Sequence, residues 1–178
     1  DRLGKLVNKV NNLEPDIIKG VKVMKEINYK NLKEEIISIL SKMEHMVLAT
    51  CSDNRVTARN VSVINDGLKI LFQTDKEFLK CQQIKENPNV AFCHGNVQIE
   101  GRAKITSHPY DHQFFKEKYQ KYQADSFRNY SYIEDEVVIQ VEPTLITLWK
   151  YDSDNKPLRE YLMIEEEKAY REYYIKVQ

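Results

Sequence analysis

The sequence predicts a mainly β fold with flanking helices, of the α+β class, built as an antiparallel split β-barrel. Several runs of strand length alternate apolar and polar residues, and Asn65-Asp66-Gly67 between two of them is a strong hairpin signal. Amphipathic helical stretches are interspersed among these runs. About six short strands wrapped by a few helices favour a closed or split barrel over a parallel sheet.

The composition indicates one compact domain. With 178 residues, 42% of them hydrophobic, the chain can bury a sizeable core. Lys plus Arg and Asp plus Glu number 27 each, so no net charge attracts nucleic acid or an anionic membrane surface. Three widely spaced cysteines favour a reducing, cytoplasmic setting over a disulfide framework, and no apolar run has the length of a membrane span.

Residues 1–28 are predicted to form a helical extension, and residues 29–178 the split-barrel domain. Apolar residues recur at helical spacing on both sides of Pro15, which predicts two short helices. A firmer helix follows in "LKEEIISILSKM", where Leu32 and Ile36 begin an apolar stripe, with Asn31 or a neighbour as its N-terminal cap.

The middle of the domain is predicted to contain a three-stranded antiparallel meander, a helix and a strand pair. The meander consists of "HMVLAT", "VTARNVSVI" and "LKILFQT". A helix is expected from about Lys76 to Glu86. The strand pair that follows is "NVAFCH" with "VQIEGRAKIT".

The C-terminal third is predicted to contain a helix, a strand and a partly helical tail. "PYDHQFFKEKYQKYQADS" is amphipathic and has proline near its start, where a helix tolerates it. "EVVIQVEPTLITLWKY" has the pattern of a strand, and "EEEKAYREYYIKV" is expected to be helical in its first half.

Arg59 and Lys80 are the candidate anion-binding residues. Arg59 shares one face of its strand with Thr57, Val61 and Val63, and an arginine among apolar neighbours costs desolvation unless it meets an anion. Lys80 lies on the following helix, whose N-terminal amides also favour an anion. The local alternatives are an ion pair at the barrel rim for the arginine and a solvated surface position for the lysine.

Other chemistry has weaker support. His108 and His112 have helical spacing but no HExxH motif accompanies them, so no metal site is predicted. The chain carries no GxGxxG, P-loop or GxSxG motif. The tyrosines between Tyr110 and Tyr132 are expected to pack on the barrel rather than stack on bases. Trp149 suits either a core or interface position or contact with a planar ligand.

The order of these pieces resembles a known family. "LAT", "RVTARNVSV", "DGLKILFQTDKEFLK", "QIKENPNVAF", "VQIEGRAKI" and "LW" occur in the order found in the pyridoxamine 5'-phosphate oxidase-like FMN-binding split β-barrels, particularly their general-stress-protein branch. The resemblance covers about residues 46–159. It implies FMN as the cofactor and a homodimer that holds FMN at the subunit interface.

The resemblance also implies which residues hold the cofactor. They are Arg59, Val61, Thr74, Lys80, Asn96, Gln98, Trp149 and Arg159. Arg59 and Lys80 match the residues that bind the FMN phosphate, and Thr74 matches a threonine that contacts FMN. Trp149 and Arg159 match a pair that contacts the flavin from the partner subunit. Asn96 and Gln98 remain alternatives for one flavin-contacting amide.

Three departures from the family pattern restrict the activity. The true oxidases have a substrate-binding lysine where this chain has Ile64, and an arginine and a histidine where it has Asn155 and Pro157. The chain is therefore expected to be an FMN-dependent oxidoreductase or reductase acting on a small molecule, with NAD(P)H as a possible donor, and not a true pyridoxamine 5'-phosphate oxidase. The alternative is a non-catalytic protein for flavin storage or stress-related sensing. No catalytic residue is assigned.

Overall fold

The computed structural model describes residues 21–175, which form ten strands and four α-helices. In chain order the elements are β1 (Val21–Ile27), α1 (Tyr29–Leu40), β2 (His45–Ser52), β3 (Arg55–Ser62), β4 (Ile64–Asp66), β5 (Lys69–Asp75), α2 (Leu79–Glu86), β6 (Asn89–His94), β7 (Val97–Ile105), α3 (Gln113–Tyr122), α4 (Ala124–Tyr130), β8 (Glu136–Tyr151), β9 (Pro157–Met163) and β10 (Lys168–Ile175). A short 3-10 turn at Pro109–Asp111 precedes α3. None of the helices in this part of the chain is long and apolar enough to span a membrane.

All strand pairs are antiparallel, and the main path through the sheet is β1-β10-β9-β8-β7-β6-β2-β3. The 16-residue β8 pairs with β7 along one edge. Its other edge is shared, since residues 136–141 pair with β5 and residues 145–151 pair with β9. The sheet therefore divides at the middle of β8, and the predicted antiparallel split barrel is confirmed.

A glycine permits the irregularity opposite this division. The register of β7 against β8 shifts between Glu100 and Gly101. A Cβ atom added at Gly101 would lie 2.6 Å from the carbonyl oxygen of Glu142 and 3.1 Å from the Cα of Pro143. Any side chain there would push the two strands apart, so glycine allows the close backbone approach at the bulge.

Two apolar clusters hold the described part of the chain together. The main cluster fills the barrel and includes the buried stripe of α1, which is formed by Leu32, Ile36 and Leu40. A smaller cluster lies where α3 and α4 cover the other face of β5 and β8; its members are Ile64, Leu71, Phe115, Tyr119, Phe127 and Val138. The predicted first helix of the domain is confirmed, with Asn28 rather than Asn31 as its cap.

The terminal segments differ from the helices expected there. Residues 21–27 form a strand that pairs with β10, while residues 1–20 lie outside the described residues. The tail is also a strand, because β10 gains ladder hydrogen bonds on both edges, from β9 and from β1. Charged residues at helical spacing suggested a helix, and this tertiary pairing together with the tyrosines of the tail overrides that preference.

Three interior elements also differ in detail. β5 pairs with β4 and β8 and not with β3, so the expected three-stranded meander is wrong in the second of its two pairings, which β4 makes instead of β3. Helix α2 begins at Leu79, since the Asp75 side chain accepts the backbone N–H of Glu77 at 2.7 Å and forms a turn before it. The helix predicted after Pro109 is divided between α3 and α4, with the break at Gln123.

Candidate functional site

Arg59 lies on the inner face of β3, directly across from Leu48 of β2. Its guanidinium donates to the Thr50 hydroxyl at 2.7 Å, to the Leu48 carbonyl at 3.4 Å and to the Thr57 hydroxyl. Partial burial lowers the pKa of Arg59. Two hydroxyls therefore fix the direction of the guanidinium without neutralising its charge.

Gln83 of α2 holds those two hydroxyls in place. Its side-chain oxygen accepts from Thr50 at 2.6 Å and from Thr57 at 2.7 Å, and its amide donates to the Arg55 carbonyl at 2.8 Å. Gln83 is fully buried, so this contact docks α2 against β2 and β3. Sequence reasoning missed Gln83; its position one helical turn after Lys80 is the signal that could have found it.

Lys80 lies in the first turn of α2, and the docking of the helix carries it toward Arg59. Its ammonium donates to the Thr74 hydroxyl at 2.7 Å and lies 4.5 Å from the centre of the Phe78 ring. Burial lowers the pKa of Lys80, and the positive charge of Arg59 lowers it further. The positive charge of Arg59 therefore disfavours the charged form of Lys80.

Arg59, Lys80 and the three hydroxyls of Thr50, Thr57 and Thr74 form what we call the cationic cluster. Within residues 21–175, neither cation forms an ion pair with an acidic side chain. Two partly desolvated cations without an acidic oxygen in ion-pair distance are electrostatically unfavourable alone and complementary to an anion. The rim ion pair considered for the arginine is absent from this part of the chain.

Glu136 is a buried acid near the cationic cluster that sequence reasoning missed. It lies directly across from Asp75 in the β5–β8 pair, is 6% exposed, and has one carboxylate oxygen without a hydrogen-bond partner among the described residues. Burial, and next the charge of Asp75, raise the pKa of Glu136 to about 7, while Lys80 opposes the shift. Its place directly before the apolar run Val137–Ile139 was the available signal.

Trp149 and Arg159 face each other across the β8–β9 pair. The guanidinium carbon of Arg159 lies 4.8 Å from the centre of the Trp149 ring. Asn96 fixes this end of β8 through two hydrogen bonds. Its side-chain amide donates to the Trp149 backbone carbonyl at 2.8 Å, and its backbone carbonyl accepts from the Trp149 backbone N–H at 2.9 Å. The NH₂ group of the Asn96 side chain thus already donates one hydrogen bond to the backbone.

These residues line an open groove of about 600 Å³, here called the aromatic groove. Gln98 also lines it, on the same face as its cross-strand neighbours Cys93 and Thr147. Met24 of β1 and Tyr161 of β9 complete one side. Both Asn96 and Gln98 therefore reach the groove, so the choice between them stays open.

The two groups of predicted site residues lie on opposite faces of the sheet. Arg59 is in cross-strand register with Leu48 and, through it, with Phe92 inside the barrel, whereas Gln98 is in register with Cys93 and Val47 on the outside. Arg59, Thr74 and Lys80 do not line the aromatic groove. The Val61 side chain is buried in the main core and lines neither feature.

Within residues 21–175, no cluster of histidine, cysteine, aspartate and glutamate side chains has the make-up of a metal site. The three cysteines are free thiols. Among the described residues, the cationic cluster and the aromatic groove each bring together several predicted site residues; a second open cavity contains Gln98 alone of that set.

A family comparison covers most of the chain. The model of the pyridoxamine 5'-phosphate oxidase family matches residues 32–150. The chain belongs to this family. The matched region of this family member includes the cationic cluster, Asn96, Gln98 and Trp149, whereas Arg159 and strands β9 and β10 lie beyond it.

Individual relatives are similar over part of the chain. General stress protein 26 of Bacillus subtilis (strain 168) is 30% identical over 90 residues, which are 46% of this chain and 64% of that protein. The match therefore spans slightly less than two thirds of this curated relative. The structure of general stress protein 26 from Bacillus anthracis str. Sterne is 23% identical with a TM-score of 0.56, covering 72% of this chain and 98% of that one.

PhzG from Burkholderia lata 383, solved in complex with tetrahydrophenazine-1-carboxylic acid, has a TM-score of 0.51 and 13% identity, and the alignment covers 83% of this chain and 89% of PhzG. At such identities the likeness establishes the shared fold.

Proposed function

We propose that this member of the pyridoxamine 5'-phosphate oxidase family binds FMN and uses it as an oxidoreductase acting on a small molecule. The observation that carries the proposal is the cationic cluster, in which Arg59 and Lys80 are partly buried, close together and without an acidic partner among the described residues. A phosphate dianion supplies the missing charge and accepts charge-assisted hydrogen bonds from both side chains.

The residues present fit FMN better than FAD or a deazaflavin cofactor. A terminal phosphate carries two negative charges and three free oxygens, which two cations and the first turn of α2 can bind together. A phosphate esterified on both sides has a single charge and less room for such contacts. Arg59 and Lys80 would hold the FMN phosphate, with the Thr74 hydroxyl beside them.

The isoalloxazine ring would lie in the aromatic groove. The groove has an aromatic side chain at Trp149, a guanidinium at Arg159 and side-chain amides at Asn96 and Gln98, which suit a planar ring with polar edges. Bound FMN would supply the redox chemistry, with NAD(P)H as the proposed donor. The chain's own residues bind the ring, orient it and limit its contact with water.

A homodimer would place the cationic cluster of one copy beside the aromatic groove of the other. Because the cationic cluster and the groove lie on opposite faces of one chain, we infer that one copy supplies the phosphate contacts and a second copy the ring contacts. The outer face of β3, β2 and β6 suits such packing, since a cross-strand row of Ala58, Ala49 and Ala91 is flanked by Val47 and Val56, which are 40% and 67% exposed.

Little supports a second phosphate-binding site, which a pyridoxamine 5'-phosphate oxidase needs for its substrate. Ile64, at the place of the substrate lysine, is buried in the smaller apolar cluster. Asn155 occupies a turn with a φ of 58°, and Pro157 begins β9. Neither residue can supply the positive charge that a phosphorylated substrate requires, so a substrate without phosphate is favoured.

The test is oxidation of NADH or NADPH by the FMN-loaded protein, with quinone, nitroaromatic compounds or oxygen as acceptors. We expect steady consumption above that given by the same concentration of free FMN. Binding of FMN without consumption would instead support the alternative of flavin storage or sensing.

Pyridoxamine 5'-phosphate is expected to give no hydrogen peroxide when added to the FMN-loaded protein. Turnover near the usual enzyme median of about 10 per second would contradict our interpretation of Ile64, Asn155 and Pro157.

A further inference from the structure

Arg159 lies beside a series of polar contacts that crosses the C-terminal strands. The Tyr161 hydroxyl donates to a carboxylate oxygen of Glu172 at 2.6 Å. Arg159 lies directly across from Glu172 and two residues before Tyr161 in β9. Burial lowers the pKa of Arg159, but Tyr161 and Glu172 outweigh this effect and raise it. Glu172 is fully buried, and its other oxygen lies 3.1 Å from the Lys22 ammonium on β1. Tyr161, Glu172 and Lys22, on three neighbouring strands, are therefore connected beside Arg159 and the aromatic groove.

The strand register places this series directly behind the wall of the groove. Met24, Glu172, Arg159 and Trp149 form one cross-strand row through β1, β10, β9 and β8. Directly opposite residues project from the same face of a sheet, so the buried Glu172 lies next to Arg159 on the side of the groove. Met24, Trp149 and Arg159 all line the groove itself.

The direction of the hydrogen bonds follows from the state of the phenol. Burial, and next the hydrogen bond to Glu172, raise the pKa of Tyr161 to about 12. The hydroxyl therefore keeps its proton at neutral pH and donates it to Glu172, while its oxygen can accept from Arg159. An arginine side chain has many rotamers, so neighbours that favour one of them lower the entropy cost of binding a ligand.

We infer that Tyr161 and Glu172 are positioning residues, which hold the Arg159 guanidinium over Trp149 and so pre-form the wall of the groove against which a planar ligand stacks. Strands β9 and β10, which carry both residues, lie beyond the region matched by the family. The identity of the ligand rests on the proposed FMN function, but the positioning of Arg159 in the ligand-free protein does not.

The test uses the intrinsic fluorescence of the ligand-free protein, because Trp149 is the chain's single tryptophan. In Tyr161→Phe and in Glu172→Gln, Arg159 should leave the ring, so that acrylamide quenches Trp149 more strongly and its emission maximum shifts. Tyr173→Phe is the matched control, since it removes a hydroxyl that contacts Arg171 at 3.3 Å in the same strand but outside the series. It should leave the Trp149 signal unchanged.

Flavin titrations supply the second measurement. Both variants should bind FMN and riboflavin about tenfold more weakly, the equivalent of one hydrogen bond to a charged group, with the ratio between the two ligands unchanged. Unchanged quenching and emission in both variants, or an equal change in Tyr173→Phe, would overturn the inference. A protein that binds no flavin would refute the proposed function, while the fluorescence of the ligand-free variants would still decide the positioning role.

Discussion

Replacing Arg59 and Lys80 together by alanine is expected to weaken FMN binding by roughly 3 to 6 kcal/mol, or about 10²- to 10⁴-fold, since each charged hydrogen bond contributes about 1.5 to 3 kcal/mol. Both cations already have fixed directions, through Thr50 and Thr57 for the arginine and Thr74 for the lysine. Little ordering cost therefore opposes their contacts with a phosphate. Isothermal titration or quenching of flavin fluorescence measures the loss.

Two controls separate the phosphate contacts from a general change of charge. Riboflavin has no phosphate, so its affinity should be the same for the wild type and the double variant. The matched variant Arg55→Ala with Lys85→Ala removes the same charge from β3 and α2 at exposed positions, and it should bind FMN normally. Unchanged FMN affinity in the Arg59 and Lys80 variant would refute the assignment of the phosphate site.

Replacing Glu136 by glutamine is expected to stabilise the fold at about pH 8 by roughly 3 kcal/mol and to have little effect of this kind below about pH 4.5. Glu136 has a pKa of about 7 in the folded protein against 4.5 for the ordinary group, because burial disfavours the charged carboxylate. The folded state thus binds more protons than the unfolded state between these values. The penalty of ionisation grows as the pH rises through this window and is complete above about 7.

Urea unfolding of the wild type and Glu136→Gln at about pH 5 and pH 8 measures this effect. Any packing cost of the amide is the same at both pH values. The informative quantity is therefore the change, between the two pH values, in the difference in unfolding free energy between the wild type and the variant. Glu134→Gln is the control, because Glu134 is exposed and only two residues away. A difference between the wild type and Glu136→Gln that does not vary with pH would show that Glu136 is ionised without cost.

The barrel was predictable where local pattern and tertiary structure agree. The stripe of α1 that includes Leu32 and Ile36 matches its buried face, and the Asn65-Asp66-Gly67 signal lies at the turn between β4 and β5. Prediction failed for β1 and β10, whose strand state depends on pairing with each other across most of the chain length. A segment rich in charged residues has no local feature that reveals such a partner.

The residues of the candidate site were likewise predictable only where a local pattern marks them. Arg59 and Lys80 stand out as cations beside apolar strands, and the order of motifs points to Trp149 and Arg159. Gln83, by contrast, acts through two threonine hydroxyls on other strands, and only the fold brings these groups together. Glu136 is similar, since its burial depends on the packing of α3 and α4 over the start of β8.

The most direct test of a shared site mixes two defective copies. One variant carries Arg59→Ala and Lys80→Ala, and the other carries Trp149→Ala and Arg159→Ala; each alone should bind FMN poorly. Coexpression with two different affinity tags yields the mixed dimer, in which one site has both halves intact and the other has both halves damaged. We predict that the purified mixed dimer binds one FMN with wild-type affinity. A mixed dimer that binds FMN no better than its parents, or a protein that stays monomeric with FMN bound, would contradict a site built by two copies of the chain.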